Sequence, residues 1–273
     1  MTKPGLPKLI ATDLDGTLVR SDDTVSAYTH EVLGRVRAAG IRVVGATGRG
    51  PRLTSLTRAD IRDADYLVLA QGGWVIDQSD PAGPLVLRSE RLPGPVLAGV
   101  LADLEAEAGT LSVMVEALEA DDSPLWGDRD PTWRYPVVVE ERGRADCCST
   151  DVIKAFARSP RHDVDTLLAV AARIVPPHVA TVTQAGLDFV EICPPGVDKG
   201  TGLAVVAQTV GVDPADVLVF GDMPNDLPMF AWAGWGRVAV ANAHPSIRAV
   251  ADEVTLTNDE DGVAVYLDRL MSR

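Results

Sequence analysis

The chain has 273 residues, 46% of them apolar and 23% charged, with 25 Lys and Arg against 39 Asp and Glu for a net charge of −14. That length supplies one large domain or two moderate ones, and the composition is that of a globular protein rather than a disordered or fibrous one. The acidic balance argues against nucleic acid as a partner, since phosphate-backbone binding needs a basic face. A membrane partner is not expected either, because no apolar run reaches the ~18–20 residues of a membrane span. The first seven residues are polar and broken by Pro4, Gly5 and Pro7, with no apolar stretch of the kind a signal peptide carries. Cys147, Cys148 and Cys193 are odd in number and two are adjacent, which points to a reduced, cytoplasmic setting rather than a disulfide scaffold.

The first segment reads strand–helix–strand. Leu9-Ile10-Ala11-Thr12 is a short apolar run of the buried parallel kind. Ser26 then caps a helix through Ala39 that buries Leu33 and Val36 and stops at Gly40. Residues 41–46 and 66–70 give two more strands, the latter closing on Gln71-Gly72-Gly73. From about 81 to 187 the pattern changes. Helices at about 96–107 and 164–174 are interleaved with strands at 111–115, 136–140, 152–157 and 179–183. The polar stretch 121–134, with Trp126 and Trp133, reads as a long loop. Strand–helix alternation then resumes, with a strand at 188–193, a helix at 199–210 stopped by Gly211, and a strand at 216–220. A helix at about 225–232, a strand at 237–241, a short helix after Pro245 and a last helix near 261–270 complete the chain. The pattern predicts an α/β fold: a doubly wound, mostly parallel, Rossmann-like sheet built from residues 1–82 and 188–273, with an α+β domain inserted at 83–187.

Ligands of an open parallel sheet bind beyond the carboxyl ends of its strands, so the residues following each strand matter most. Those are Asp13-Leu14-Asp15-Gly16-Thr17, Thr47-Gly48-Arg49, Asp198-Lys199-Gly200 and Gly221-Asp222-Met223-Pro224-Asn225-Asp226. Each alone also fits a blander role. The two Asp of the first could flank a solvated turn, Thr47-Gly48-Arg49 could be an ordinary turn, Lys199 a surface lysine, and Asp226 an acidic helix start. Together they bring carboxylates, a hydroxyl, an ammonium and glycine amides to one edge. Converging carboxylates suit a hard divalent cation, Mg²⁺ where phosphate supplies a further oxygen. Lys199 is one of four lysines in the chain and stands at a helix start, where a cation opposes the macrodipole; neutralising a phosphate would explain it.

In this order the residues resemble the haloacid dehalogenase-like (HAD) superfamily, with Asp13-Leu14-Asp15-Gly16-Thr17, Thr47, Lys199 and Gly221-Asp222 with Asn225-Asp226 similar to its four motifs. Ala46-Thr47-Gly48-Arg49, Val197-Asp198-Lys199-Gly200 and Asn258-Asp259-Glu260-Asp261-Gly262-Val263-Ala264 resemble the wording of its Cof-type, type IIB capped branch. Gln71-Gly72-Gly73 departs from the Asn-Gly usual in that branch. The resemblance implies a Mg²⁺-dependent phosphatase acting on a small phosphorylated metabolite, such as a phosphosugar. Asp13 would be the nucleophile and Asp15 the acid–base; Thr47, Gly48, Lys199 and Asn225 would hold phosphate. Metal would be held by Asp13, Asp15 through its carbonyl, and Asp222, with Asp226 in support. The insert would act as a lid and meet the rest of the substrate, with Trp126, Asp128, Arg129, Trp133 and Arg134 as polar and aromatic candidates or else as an ordinary loop. A phosphomutase using the same aspartyl-phosphate and a non-enzymatic phospho-ligand sensor are the alternatives; a nucleotide kinase is disfavoured, since no Gly-x-x-x-x-Gly-Lys-Ser/Thr loop is present. The monomeric or dimeric state has no signature in the chain.

Overall fold

In chain order the strands of the computed structural model are β1 (Leu9–Thr12), β2 (Arg42–Ala46), β3 (Tyr66–Leu69), β4 (Trp74–Asp77), β5 (Leu85–Ser89), β6 (Ser112–Glu116), β7 (Leu125–Gly127), β8 (Val139–Glu141), β9 (Lys154–Arg158), β10 (Thr181–Thr183), β11 (Val190–Cys193), β12 (Val217–Gly221), β13 (Gly236–Ala239) and β14 (Glu253–Val254). The helices are α1 (Ala27–Ala38), α2 (Thr54–Asp60), α3 (Gly94–Ala108), α4 (Arg144–Cys147), α5 (Val164–Ile174), α6 (Lys199–Val210), α7 (Leu227–Trp232), α8 (Pro245–Arg248) and α9 (Gly262–Met271). The structure describes residues 5–79, 83–129, 137–184 and 187–272.

The chain divides into two compact units, one of Met1–Gly48, Ser55–Arg88 and Asp198–Arg273, the other of Arg49–Thr54 and Ser89–Val197. The first holds an eight-stranded sheet ordered β14-β13-β12-β1-β2-β3-β4-β5. The pairs from β14 through to β3 are parallel, and β4 runs antiparallel to β3. Strands β1, β3 and β12 are buried along their whole length, which is why they read as unbroken apolar runs rather than alternating ones. Sheet order reverses at the β1–β12 boundary, where Thr12 lies beside Phe220, so the residues after both strands share one crevice.

The second unit is a six-stranded sheet ordered β10-β11-β9-β6-β7-β8, antiparallel except for the β7–β8 pair. Its apolar face, with Val113, Val115, Ala155, Ala157, Val190 and Ile192, packs on Leu97, Leu101 and Leu104 of α3 and Leu167 and Ala171 of α5. Here two expectations need correction. The strand at 190–193 belongs to this antiparallel sheet, hydrogen-bonded between β9 and β10, and not to the parallel one. The units accordingly part at 88/89 and 197/198 rather than at 82/83 and 187/188, and the short piece Arg49–Thr54 also goes with the second unit. Within the stretch expected to be a loop, Leu125–Gly127 is a strand, and the Arg142 guanidinium stacks 3.6 Å above the Trp126 ring. Asp128 accepts from the Val113 amide at 2.8 Å, and Arg129 pairs with Glu141 at 3.4 Å. Trp133, Arg134 and Pro136 lie outside the described residues.

Helix α6 is seated by glycines. A Cβ on Gly202 would stand 2.5 Å from Val68 Cγ1 and 2.7 Å from the Gly72 Cα. One on Gly72, whose φ is +105°, would meet the Asp198 carbonyl oxygen. The helix therefore lies directly on the turn between β3 and β4, closer than any side chain permits. Gly202→Ala is expected to lower stability by roughly 1–3 kcal/mol, the usual penalty of overpacking, read from denaturant unfolding midpoints.

Candidate active site

The crevice at the end of β1 and β12 is built around one buried lysine. Asp198 caps α6, its side chain accepting from the Thr201 amide at 2.7 Å while the Thr201 hydroxyl accepts from the Asp198 amide at 3.1 Å. This reciprocal box fixes the helix start. Lys199, the first residue of α6, is thereby turned inward and is fully buried. Its Nζ donates to Asp13 Oδ1 at 2.5 Å and to Asp226 Oδ1 at 2.6 Å. Burial by itself would lower the lysine's pKa, but the two carboxylates outweigh it and hold the ammonium charged, above its ordinary range.

Asp226 is spent on structure: besides Lys199, its Oδ2 accepts the amides of Asp222 (2.9 Å) and Met223 (3.0 Å), folding the turn after β12. That turn brings Asp222 to Asp13. The Thr17 hydroxyl lies 2.9 Å from Asp222 Oδ1 and 3.2 Å from Asp13 Oδ2. One hydroxyl proton serves one oxygen at a time, so the two carboxylates face each other without full compensation. Gly16 makes the approach possible: it has φ +83°, and a Cβ there would stand 2.5 Å from Asp222 Oδ2.

Asp13, Asp222 and Asp226 each present an oxygen within 4.8 Å of the others, and all three residues are buried. Three carboxylates against one ammonium leave an excess of two negative charges, the charge of a single divalent cation. These oxygens suit a hard cation, and Asp13 and Asp222 are the two whose oxygens are not already committed to backbone amides. Without a cation the pair keeps protons well above the ordinary 3.8. Burial first, then the neighbouring carboxylates, pushes Asp13 up to about 6 against the pull of Lys199, and Asp222 up to about 9.

The other residues of interest sit at the same edge. Thr47, directly after β2, is buried; its amide donates to the Val68 carbonyl, and its carbonyl accepts from the Gln71 amide. Gly48 follows it at the end of that chain segment, and Asp15 is half-buried in the turn after β1, in a bridge with Val19. Asn225 donates through Nδ2 to Gln71 Oε1 at 3.1 Å, while its buried Oδ1 has no hydrogen-bond partner among the described residues. Gln71 is buried and held at φ +58°. Neither Gln71 nor Thr17 receives a role from the sequence alone, although both lie in stretches that close a strand there. The residue before Gly72 and the Thr closing Asp-x-Asp-Gly-Thr were the available signals. The thiols of Cys147, Cys148 and Cys193 are all pushed up by burial, which leaves them poor nucleophiles.

The parallel sheet with an acid-rich crevice at its switch point defines an α/β protein with a buried acidic site, and known proteins place it further. A sequence model of the family described as haloacid dehalogenase-like hydrolase matches residues 10–108 and 140–267. A phosphoglycolate phosphatase of Methanopyrus kandleri is 44% identical over 267 residues, covering 97% of this chain and 98% of that one. The 5-amino-6-(5-phospho-D-ribitylamino)uracil phosphatase YwtE of Bacillus subtilis is 28% identical over 291 residues, covering 97% and 98%. The solved structure of a HAD subclass IIB sugar phosphatase has the same fold, with a TM-score of 0.80 at 19% identity over 97% of this chain and 99% of that one. The chain belongs to the haloacid dehalogenase-like hydrolases and is a phosphoric monoester hydrolase. No helix among the described residues is long and apolar enough to cross a membrane.

The raised carboxylates give the site a signature in stability. Groups that hold protons more tightly when folded contribute stability that is complete below pH 3.8 and is lost as pH rises through about 6 and about 9. A divalent cation binds the ionised pair and restores that loss. The rise in Tm on adding Mg²⁺ to chelator-treated protein is therefore expected to grow steadily between pH 5 and pH 9; an increment independent of pH would contradict this account of the pair.

Proposed function

We propose that the chain hydrolyses small phosphorylated metabolites of the phosphosugar kind through an aspartyl-phosphate on Asp13, with Mg²⁺ as its metal, in the cytoplasm. The observation that carries this is the seating of Asp13: a buried carboxylate with one oxygen held by the Lys199 ammonium and the other facing Asp222. Such a carboxylate is fixed in direction, stripped of water and placed where a cation and an ammonium flank an incoming phosphoryl group. The relatives named above act, by their names, on phosphate esters of a hydroxy acid and of a ribityl compound, which supports a small polar leaving group. Free thiols at all three cysteines accord with a reducing compartment.

In the first step an Asp13 oxygen attacks phosphorus and the ester P–O bond breaks. The departing alkoxide takes a proton from Asp15. In the second, Asp15 removes a proton from a water molecule that attacks the aspartyl-phosphate, releasing inorganic phosphate and regenerating Asp13. Lys199, Thr47, Gly48 and Asn225 hold the phosphoryl oxygens; Lys199, Thr47 and Asn225 are buried, and the Lys199 ammonium already touches Asp13. Asp13, the carbonyl of Asp15 and Asp222 would hold the Mg²⁺, whose charge offsets that developing on the transferring group. Asp226 keeps both Lys199 and the Asp222 turn in place.

Asp13→Asn is expected to abolish release of inorganic phosphate from every substrate while leaving the unfolding transition intact. Asp15→Asn is expected to slow hydrolysis of alkyl phosphates by ~10²–10⁴-fold, the usual share of a general acid, and that of 4-nitrophenyl phosphate far less, because that leaving group departs without a proton. Malachite-green phosphate assays on both ester types read the two variants; equal losses would remove the acid role from Asp15.

A further inference from the structure

The turn that carries Asp15 is held from a distance by the last part of the chain. After Asp15 the backbone passes through Gly16 at φ +83° and returns to Val19, whose amide donates to Leu14. A glycine in that region has no side chain to restrain its peptide, so the plane of the next amide is the softest point of the turn. Two carbonyls that follow Asp15 in this turn receive side-chain amides. Asn242 Nδ2 donates to Gly16 O at 2.8 Å, and Asn258 Nδ2 donates to Val19 O at 2.9 Å.

The two asparagines are themselves joined. The Asn258 backbone amide donates to Asn242 Oδ1 at 3.0 Å, which fixes the Asn242 side chain so that its nitrogen faces Gly16. The following residues continue the grip. Asp259 accepts from the amide (2.8 Å) and hydroxyl (2.9 Å) of Ser21, and Asp261 takes the Arg20 guanidinium through both oxygens, at 3.1 and 2.5 Å. Three successive residues, Val19, Arg20 and Ser21, are thus each held by a side chain from residues 258–261. The loop of Asn242 reaches the second acidic turn as well, since the His244 amide donates to the Asp222 carbonyl at 2.8 Å. Most of these contacts lie on exposed or half-exposed surface, where an interaction serving stability alone is weak.

We infer that Asn242 and residues 258–261 form a clamp that holds the Asp15 turn in the geometry proton transfer requires, Asn242 being its positioning residue. The inference rests on the acid–base reading of Asp15. Proton transfer depends on placement to a fraction of an ångström, so loss of a peptide anchor beside the acid slows that step without weakening phosphate binding. Asn242→Asp keeps the acceptor for the Asn258 amide and removes only the donor to Gly16; Asn242→Ala removes both.

The test compares wild type, Asn242→Asp, Asn242→Ala and Asp15→Asn on ribose 5-phosphate and on 4-nitrophenyl phosphate, with Mg²⁺. For both Asn242 variants kcat on ribose 5-phosphate is expected to fall roughly tenfold, that on 4-nitrophenyl phosphate less than about threefold, and both KM values to stay within about twofold. Because Asn242 is exposed, the unfolding midpoint is expected to hold, which separates positioning from loss of fold. Equal losses on the two esters, no loss on either, or a rise in KM alone would overturn the clamp. If Asp15→Asn is selective between the esters and the Asn242 variants are not, the clamp alone is wrong. If Asp15→Asn is itself unselective, the acid–base reading and the clamp fall together.

Discussion

An unbalanced charge set governs the structure of the first unit. Three carboxylates are buried beside a single ammonium, and burial makes each uncompensated charge expensive. The molecule meets that cost in graded ways. Asp226 is neutralised by Lys199 and two amides, and Asp13 shares the same lysine. Asp222 has only a hydroxyl and the amide-ordered turn beneath it, and burial followed by the neighbouring carboxylates raises its proton affinity beyond that of Asp13. The gradient separates Asp226, spent on holding a turn, from two carboxylates whose oxygens are not committed to backbone amides.

The backbone framework exists to bring these groups to one place. Parallel pairing of β1 with β12 sets Asp13 and Asp222 side by side, and the glycine contacts between α6 and the β3–β4 turn fix where Lys199 enters. Gly16 removes the side chain that would otherwise separate the two acidic turns. Close approach at these points comes from residues without a Cβ, so precision in the site depends on positions that contribute almost no buried surface of their own.

Much of this could be read in the chain beforehand. Strands β1, β2, β3 and β12 announce themselves as short apolar runs, and Asp13, Thr47 and Asp222 stand directly after three of them, where an open sheet places its ligands. Strand β11 is ambiguous in sequence because a fully buried run of four residues has the same pattern in the middle of an antiparallel sheet as in a parallel one. Trp126 reads as part of a loop because its strand is only three residues long and lies among polar neighbours. Gln71, Asn242 and Asn258 act through amides donated to or accepted from distant partners, and such bonds leave no periodicity in sequence.

Strand order also dictates how the polypeptide must assemble. The central pairing joins Leu9 to Val217, so the hydrophobic middle of the larger sheet cannot close until nearly the whole chain exists. Residues 89–197, by contrast, form the smaller sheet and both its packing helices from one continuous stretch that leaves the ribosome earlier. Compact segments of this kind generally mature first, while distant pairings pay loop-closure entropy and come late. An insert that closes on itself in this way would shorten the loop that the two halves of its host must close before β1 meets β12.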